Sequence, residues 1–100
     1  MTVSHVKQAV VIINDPQKQY EGLQTSIGLL LEGIAVQMFV LHHEIENMDE
    51  AYRDNMVFLD ELGGLRFSNN SENAEKHGFT HVTLTQAATR IRDADIVIPF

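Results

Sequence analysis

Polar and titratable side chains follow the apolar runs of this sequence at three places. The residues that could contact a ligand there are Asn14, Asp15, His42, His43, Ser68, Asn69 and Asn70. Imidazole and carboxylate groups can act as general acids or bases, while amides and hydroxyls orient a bound molecule through hydrogen bonds. The sequence therefore offers a candidate ligand-binding set, which is equally compatible with solvated loops because loops at strand ends are polar in any case.

The adjacent pair His42 and His43 raises the question of a metal site, with Glu44 or Glu46 nearby. Neighbouring residues of an extended chain point to opposite faces, and neither His42 nor His43 belongs to an HxH or HxxxH motif. We therefore expect solvated or partner-facing histidines and no metal. The sequence also has no GxSxG, GxGxxG or P-loop motif, so it predicts no cofactor and supports no catalytic residue.

Strand and helix patterns alternate along the chain. The predicted strands are residues 6–13, 34–41, 65–68, 79–83 and 95–100, and the predicted helices are residues 17–32, 49–62, 71–77 and 83–93. This alternation predicts an α/β fold, a three-layer α/β/α sandwich with a mainly parallel sheet of about five strands. The run at 6–13 is apolar and β-branched, so we expect it inside the sheet. The carboxyl ends of parallel strands share one edge, which would gather the polar set.

Caps and turn residues delimit these helices. Asp15 with Pro16, Asp49 or Asn47, Ser71 or Asn70, and Thr83 or Thr85 are candidate N-caps, while Gly33, Gly63-Gly64 and Gly78 follow helices. The positions predicted to face the sheet are Tyr20, Leu23, Ile27, Leu30, Leu31, Tyr52, Met56, Leu59, Leu62, Leu84, Ala88 and Ile91. Gly22 and Gly28 inside the first helix indicate either close packing or simple tolerance.

Composition excludes several classes of protein. The 100 residues predict a single domain, residues 1–100, and contain no cysteine, which excludes disulfides, thiolate metal sites and a cysteine nucleophile. A net charge of −7 argues against binding to nucleic acid or to an anionic membrane surface. The chain has neither a leader-like start nor an apolar run of about 20 residues, so we expect a cytoplasmic protein.

The order of these segments resembles the DsrE/DsrF/TusD family of small α/β proteins associated with sulfur relay. The resemblance covers nearly the whole chain, in VVIINDP, LLLEG, IAVQMFVL, DELGGLRFSNNSENAEKHGF and THVTLTQAATRIRDADIVIPF. Family members active in sulfur transfer carry a cysteine after the third strand, at positions that correspond to Asn70 and Asn73 here. Because asparagine has no comparable chemistry, the resemblance implies a member that cannot carry persulfide, whose 69–73 loop is a polar binding or capping element.

Two functions follow as expectations. The first is a non-catalytic binding or scaffold protein linked to sulfur metabolism, which the resemblance implies is a homo-oligomer, with a related small α/β subunit as a further partner. The second helix carries apolar residues on more than one side, among them Met48, Val57 and Phe58, which favours assembly. The alternative is a small cytoplasmic enzyme that uses His42, His43 and Asp15, which requires the three residues to share a closed pocket.

Overall fold

Five parallel strands form one sheet in the computed structural model, which describes residues 7–100. The strands are β1 (Gln8–Ile13), β2 (Ala35–Val40), β3 (Leu65–Ser68), β4 (Thr80–His81) and β5 (Ile96–Pro99), in the spatial order β4-β3-β2-β1-β5. The predicted α/β class, the parallel pairing and the internal position of the first strand are confirmed. Val6, the first residue of that predicted strand, lies outside the described residues.

Helices connect successive strands, as the alternating pattern predicts. They are α1 (Gln19–Leu31), α2 (Glu50–Glu61), α3 (Ser71–His77) and α4 (Leu84–Arg92), and a short 3-10 turn, Pro16–Lys18, leads into α1. Asp15 caps the 3-10 turn, and Asp49, Asn70 and Thr83 cap α2, α3 and α4 through their side chains. The backbone of Gly33, Gly63 and Gly78 has positive φ where α1, α2 and α3 end. The sequence therefore located the helix ends correctly except at the start of α1, where Asp15 and Pro16 begin the 3-10 turn and α1 itself starts at Gln19.

Alternate residues of β1 belong to two separate apolar cores, one on each face of the sheet. Ala9, Val11 and Ile13 contact the layer that contains α1 and α2, whereas Val10 packs with Phe39 beneath α4 on the opposite face. All of these side chains are fully buried. The sheet therefore has a core and a helical layer on each face, which gives the three layers that the sequence predicts.

The inward faces of the helices differ from the prediction at several positions. Leu23 and Ile27 of α1 and all three of Tyr52, Met56 and Leu59 of α2 are buried as expected. Tyr20 and Leu31 are instead 37% and 63% exposed. In α4, Ile91 packs on the core as predicted, but Ala87 is buried in place of Ala88, and Leu84 is exposed. Tyr20, Leu31 and Leu84 lie in the first or last turn of their helices.

Gly22 and Gly28 have different surroundings, which show where a glycine is needed for close packing and where it is only tolerated. A Cβ atom at Gly22 would collide with the side chain of Ile13 in β1, whereas a Cβ at Gly28 would meet nothing within 4 Å. Gly22 therefore permits close packing of α1 on the sheet, and Gly28 is merely tolerated. No helix among residues 7–100 is both long enough and apolar enough to cross a membrane.

Candidate functional site

A cleft of about 470 Å³ opens at the carboxyl edge of the sheet, beside β1 and β2. One wall is the start of α1 with the 3-10 turn before it, and the other is the connection from β2 to α2 with the first turn of α2. Its lining includes the side chains of Gln19, Tyr20, His43 and Tyr52. This volume lies within the ordinary range for sites that hold small molecules.

A chain of hydrogen bonds joins three of these side chains. Nε2 of His43 lies 2.8 Å from Oε1 of Gln19, and Nε2 of Gln19 donates to the hydroxyl of Tyr52 at 2.6 Å. Gln19 and Tyr52 are only 8% and 4% exposed, so their polar groups have little access to water. These two hydrogen bonds fix the positions of α1, α2 and His43 relative to one another.

Both ring nitrogens of His43 are occupied. Its Nδ1 lies 3.1 Å from the carbonyl oxygen of Leu41, which can only accept, so Nδ1 carries a proton. If the ring is charged, Nε2 donates to Gln19. If the ring is neutral, the Gln19 amide turns over and donates to Nε2, and the Tyr52 hydroxyl donates to the amide oxygen. In either state His43 has no free nitrogen to act as a base or as a metal ligand.

Burial raises the pKa of Tyr52 to about 12, although the hydrogen bond from Gln19 and the charge of Arg66 oppose the rise. Desolvation disfavours the phenolate because the charged form loses its water. Tyr52 is consequently a neutral hydroxyl at physiological pH, able to donate a hydrogen bond and not to attack as a nucleophile.

Ser68 and Asn73 form a second polar cluster, fully buried beneath the same edge. The Ser68 hydroxyl donates to the carbonyl of Val40 at 2.7 Å and accepts from the Asn73 amide at 3.0 Å. Asn73 also donates to the carbonyl of His43 and accepts from the backbone N–H of Ile45, both at 2.9 Å. This cluster ties the β2–α2 connection to α3, and every hydrogen bond that it makes is internal.

Asn69 and Asn70 also serve the backbone. The Asn69 side chain accepts from the N–H of His42 at 2.8 Å, and Asn70 accepts from the N–H groups of Glu72 and Asn73 at the start of α3. His42 has φ of +75°, a left-handed conformation that costs energy in a residue other than glycine. The contact with Asn69 holds that conformation, and within the 69–73 segment Asn70 is the side chain that caps α3.

Asp15 and Asn14 lie at the same edge but outside the cleft lining. The Asp15 carboxylate accepts from the N–H of Gln17 at 2.9 Å, and Asn14 is exposed, with its N–H donating to the carbonyl of Phe100 just after β5. His42 is exposed and does not line the cleft either. The structure thus brings His43 into the cleft and leaves His42 and Asp15 outside it. Ser68, Asn69 and Asn70 lie in the cluster beside α3.

Sequence reasoning missed Gln19 as a site residue and treated Tyr52 only as part of the inward face of α2. The available signal was a polar residue, Gln19, four positions before Leu23 on the face of α1 that packs on the sheet. Nothing in the sequence paired Gln19 with His43, because 24 residues separate them. Asn73 appeared only as a counterpart of a family cysteine, whereas the structure makes it a buried hub.

Acidic groups dominate the rim of the cleft. Its lining contains Glu44, Glu46 and Asp49. Lys76, outside the lining, contacts Glu44 at 2.8 Å and Glu72 at 3.1 Å, and both carboxylates raise the pKa of the lysine. Among residues 7–100 there is no group of three or more His, Cys, Asp or Glu side chains arranged to hold a metal ion.

Comparison with known proteins adds no relative. A scan against protein-family models finds no match to the chain, and a search of curated proteins finds none either. The resemblance to the DsrE/DsrF/TusD family therefore stays a prediction from the sequence. The structure shows the α/β class of the fold and does not identify a family.

Proposed function

We propose that this chain is a non-catalytic binding protein that holds a small polar molecule in the cleft between α1 and the β2–α2 connection. The observation that supports the proposal is a 470 Å³ cleft whose central polar side chains already satisfy one another. Such side chains are held in fixed positions, which suits recognition because little conformational entropy is lost on binding.

The same hydrogen bonds argue against the enzyme alternative. An acid–base mechanism needs a group that can reach the substrate and exchange a proton with it. Both nitrogens of His43 are occupied, Tyr52 stays neutral, and His42 and Asp15 lie outside the cleft lining. Ser68 is fully buried, with its hydroxyl donating to a backbone carbonyl, so it does not suit the role of a nucleophile.

The link to sulfur metabolism belongs to the proposal through the resemblance alone. Within that hypothesis, Asn70 occupies the position of the reactive cysteine and uses its side chain to cap α3. A scaffold role in which the protein binds a ligand or partner without carrying sulfur agrees with this substitution. We also propose that the protein forms homo-oligomers and that a related small α/β subunit is a further partner.

The test is a ligand screen by NMR with a library of cationic, neutral and anionic small molecules on the ¹⁵N-labelled protein. A binder should shift the backbone signals of Gln19, His43 and Tyr52 and should be recovered chemically unchanged by mass spectrometry. Asn47→Trp fills the cleft mouth and should abolish the shifts. Gln24→Trp, on an exposed part of α1 outside the lining, is the matched control and should preserve them.

Two results would contradict the proposal. One is a library in which no compound shifts the signals of the cleft residues. The other is a bound compound that is converted to product by the wild-type protein and not by His42→Ala, which would restore the enzyme hypothesis.

A further inference from the structure

We propose that the ligand of the cleft is an organic cation, a molecule with an ammonium group on an apolar body. The inference rests on the proposed binding function and adds the chemical class of the ligand. Three features of the lining carry it, namely its charge, the state of its backbone N–H groups and its aromatic side chains.

The charge of the lining is negative. Three of its side chains are carboxylates, and none of the lining residues that the structure describes is Lys or Arg. Lys76 neutralises Glu44 from outside the cleft at 2.8 Å. Glu46 and Asp49 remain exposed and form no ion pair within residues 7–100. A cation entering the cleft meets a favourable field, which the net charge of −7 reinforces.

Three backbone N–H groups of the lining that could attract an anion are already used. The N–H of Gln17 donates to Asp15 at 2.9 Å, and that of Tyr52 donates to Asp49 at 2.8 Å. The N–H of Ile45 donates to Asn73 at 2.9 Å. Both helical segments that begin at the cleft are therefore capped by carboxylates, which oppose the attraction of a helix N-terminus for anions.

Two tyrosines supply the apolar and aromatic part of the lining. The ring centroids of Tyr20 and Tyr52 are 6.0 Å apart with an interplanar angle of 62°, and the Tyr20 hydroxyl accepts from the Asn55 amide at 2.9 Å. Tyr52 is buried, so Tyr20, 37% exposed, presents the accessible ring. Aromatic rings attract cations through their negative faces, most strongly where the cation is partly desolvated.

The experiment compares three probes of nearly equal shape: benzylammonium, benzyl alcohol and benzoate. Their dissociation constants are measured by NMR titration at neutral pH, in low and in high salt. We expect benzylammonium to bind about tenfold more tightly than benzyl alcohol, from one ion pair and one cation–π contact, and benzoate to bind most weakly. High salt should weaken the binding of the cation alone.

Paired variants localise the effect. Glu46→Gln should weaken benzylammonium about two- to fivefold and leave benzyl alcohol unchanged, whereas Glu61→Gln makes the same charge change outside the cleft lining and should have little effect. Tyr20→Phe should retain binding, and Tyr20→Leu should lose it several-fold. Phe58→Leu, which removes an exposed aromatic ring outside the cleft, is the control for the last variant.

A further arm separates a free amine from a lysine side chain of another protein. Nα-acetyl-lysine methylamide should bind more tightly than benzylammonium if the ammonium group belongs to a protein, and more weakly if it belongs to a small molecule; both results support an ammonium ligand. Benzyl alcohol or benzoate binding as tightly as benzylammonium overturns the inference and leaves the binding function standing. Absence of binding by all three probes also overturns it. The NMR screen of the larger library then tests the proposed binding function separately.

Discussion

At the scale of single residues, the polar groups at the carboxyl edge differ in whether the open cleft reaches them. Ser68 and Asn73 are fully buried and bond only to the protein, and no buried side-chain polar atom among residues 7–100 lacks a partner. Gln19 and His43 also bond internally, but they line an open cleft. A polar residue at a strand end is therefore a site residue only when the cleft reaches it.

Asn73→Ala should destabilise the protein by about 2–4 kcal/mol, because it leaves the N–H of Ile45 and the carbonyl of His43 without their partner. Urea denaturation measures the loss, and hydrogen exchange should show reduced protection of the Ile45 amide. Asn14→Ala, on an exposed side chain, should change stability by less than about 0.5 kcal/mol. Equal effects of the two variants would contradict the role of Asn73 as a hub.

Tyr52 should make stability fall at alkaline pH. Its pKa is about 12 in the folded protein and about 10 when unfolded, so between these values the unfolded state binds fewer protons. Its stabilising effect is complete below pH 10 and is lost as the pH rises through 12. The phenolate absorbance near 295 nm should show a step close to pH 12, as long as the protein stays folded, that Tyr52→Phe removes and Tyr20→Phe retains. A titration in which Tyr52→Phe changes nothing would exclude the shift.

At the scale of elements, α1 shows how one helix can place two glycines in opposite environments. Gly22 lies against Ile13 of β1, and Gly28 lies in open space six residues later. In an isolated helix the two would cost the same, since glycine is about 1 kcal/mol less favourable than alanine at any interior position. The sheet decides which of them is needed.

Gly28→Ala should stabilise the protein by about 0.5–1 kcal/mol, and Gly22→Ala should destabilise it, because the new methyl group would collide with the Ile13 side chain of β1 and push α1 away from the sheet. Thermal or urea denaturation of the two variants measures the difference, with each serving as the control for the other. Stabilisation by Gly22→Ala would mean that α1 can move from β1 without loss of packing.

At the scale of the whole molecule, the outer surface of α2 is more apolar than a monomer requires. Val57 is 56% exposed and Phe58 40%, on the helix that lies beside α1. Met48, the third residue that suggested assembly, is partly buried against the core and adds less. Exposed apolar groups of this kind commonly mark contact surfaces between proteins.

The proposed homo-oligomer should dissociate when a charge is placed on this surface. Phe58→Asp should reduce the mass measured by light scattering at micromolar concentration to 11.3 kDa, that of one chain. Leu84→Asp, at a residue 51% exposed on α4 across the sheet, should leave the assembly intact. A wild-type protein that is already monomeric would refute the assembly, and dissociation by Leu84→Asp alone would move the interface to the opposite face.

The sequence by itself determined the order and type of the elements. Residues 9–13 are a continuous apolar run and residues 34–41 are apolar except for Gln37, and such runs form strands buried on both faces. Asp15 and Asp49 were recognisable as caps, because capping depends on hydrogen bonds between near neighbours. The predicted bounds of β3 match the structure for the same reason: the signals that end it, Gly64 and Asn69, are local.

Only the tertiary structure decided which side chains meet. The inward face of α4 depends on how that helix is rotated against Phe39 and Phe67, which buries Ala87 where the sequence predicted Ala88 and leaves Leu84 exposed. The bond between Gln19 and His43 depends on α1 crossing the end of β2, a geometry set by packing over the whole sheet. The cleft arises from the same crossing, because a pocket is the space between elements and no single segment encodes it.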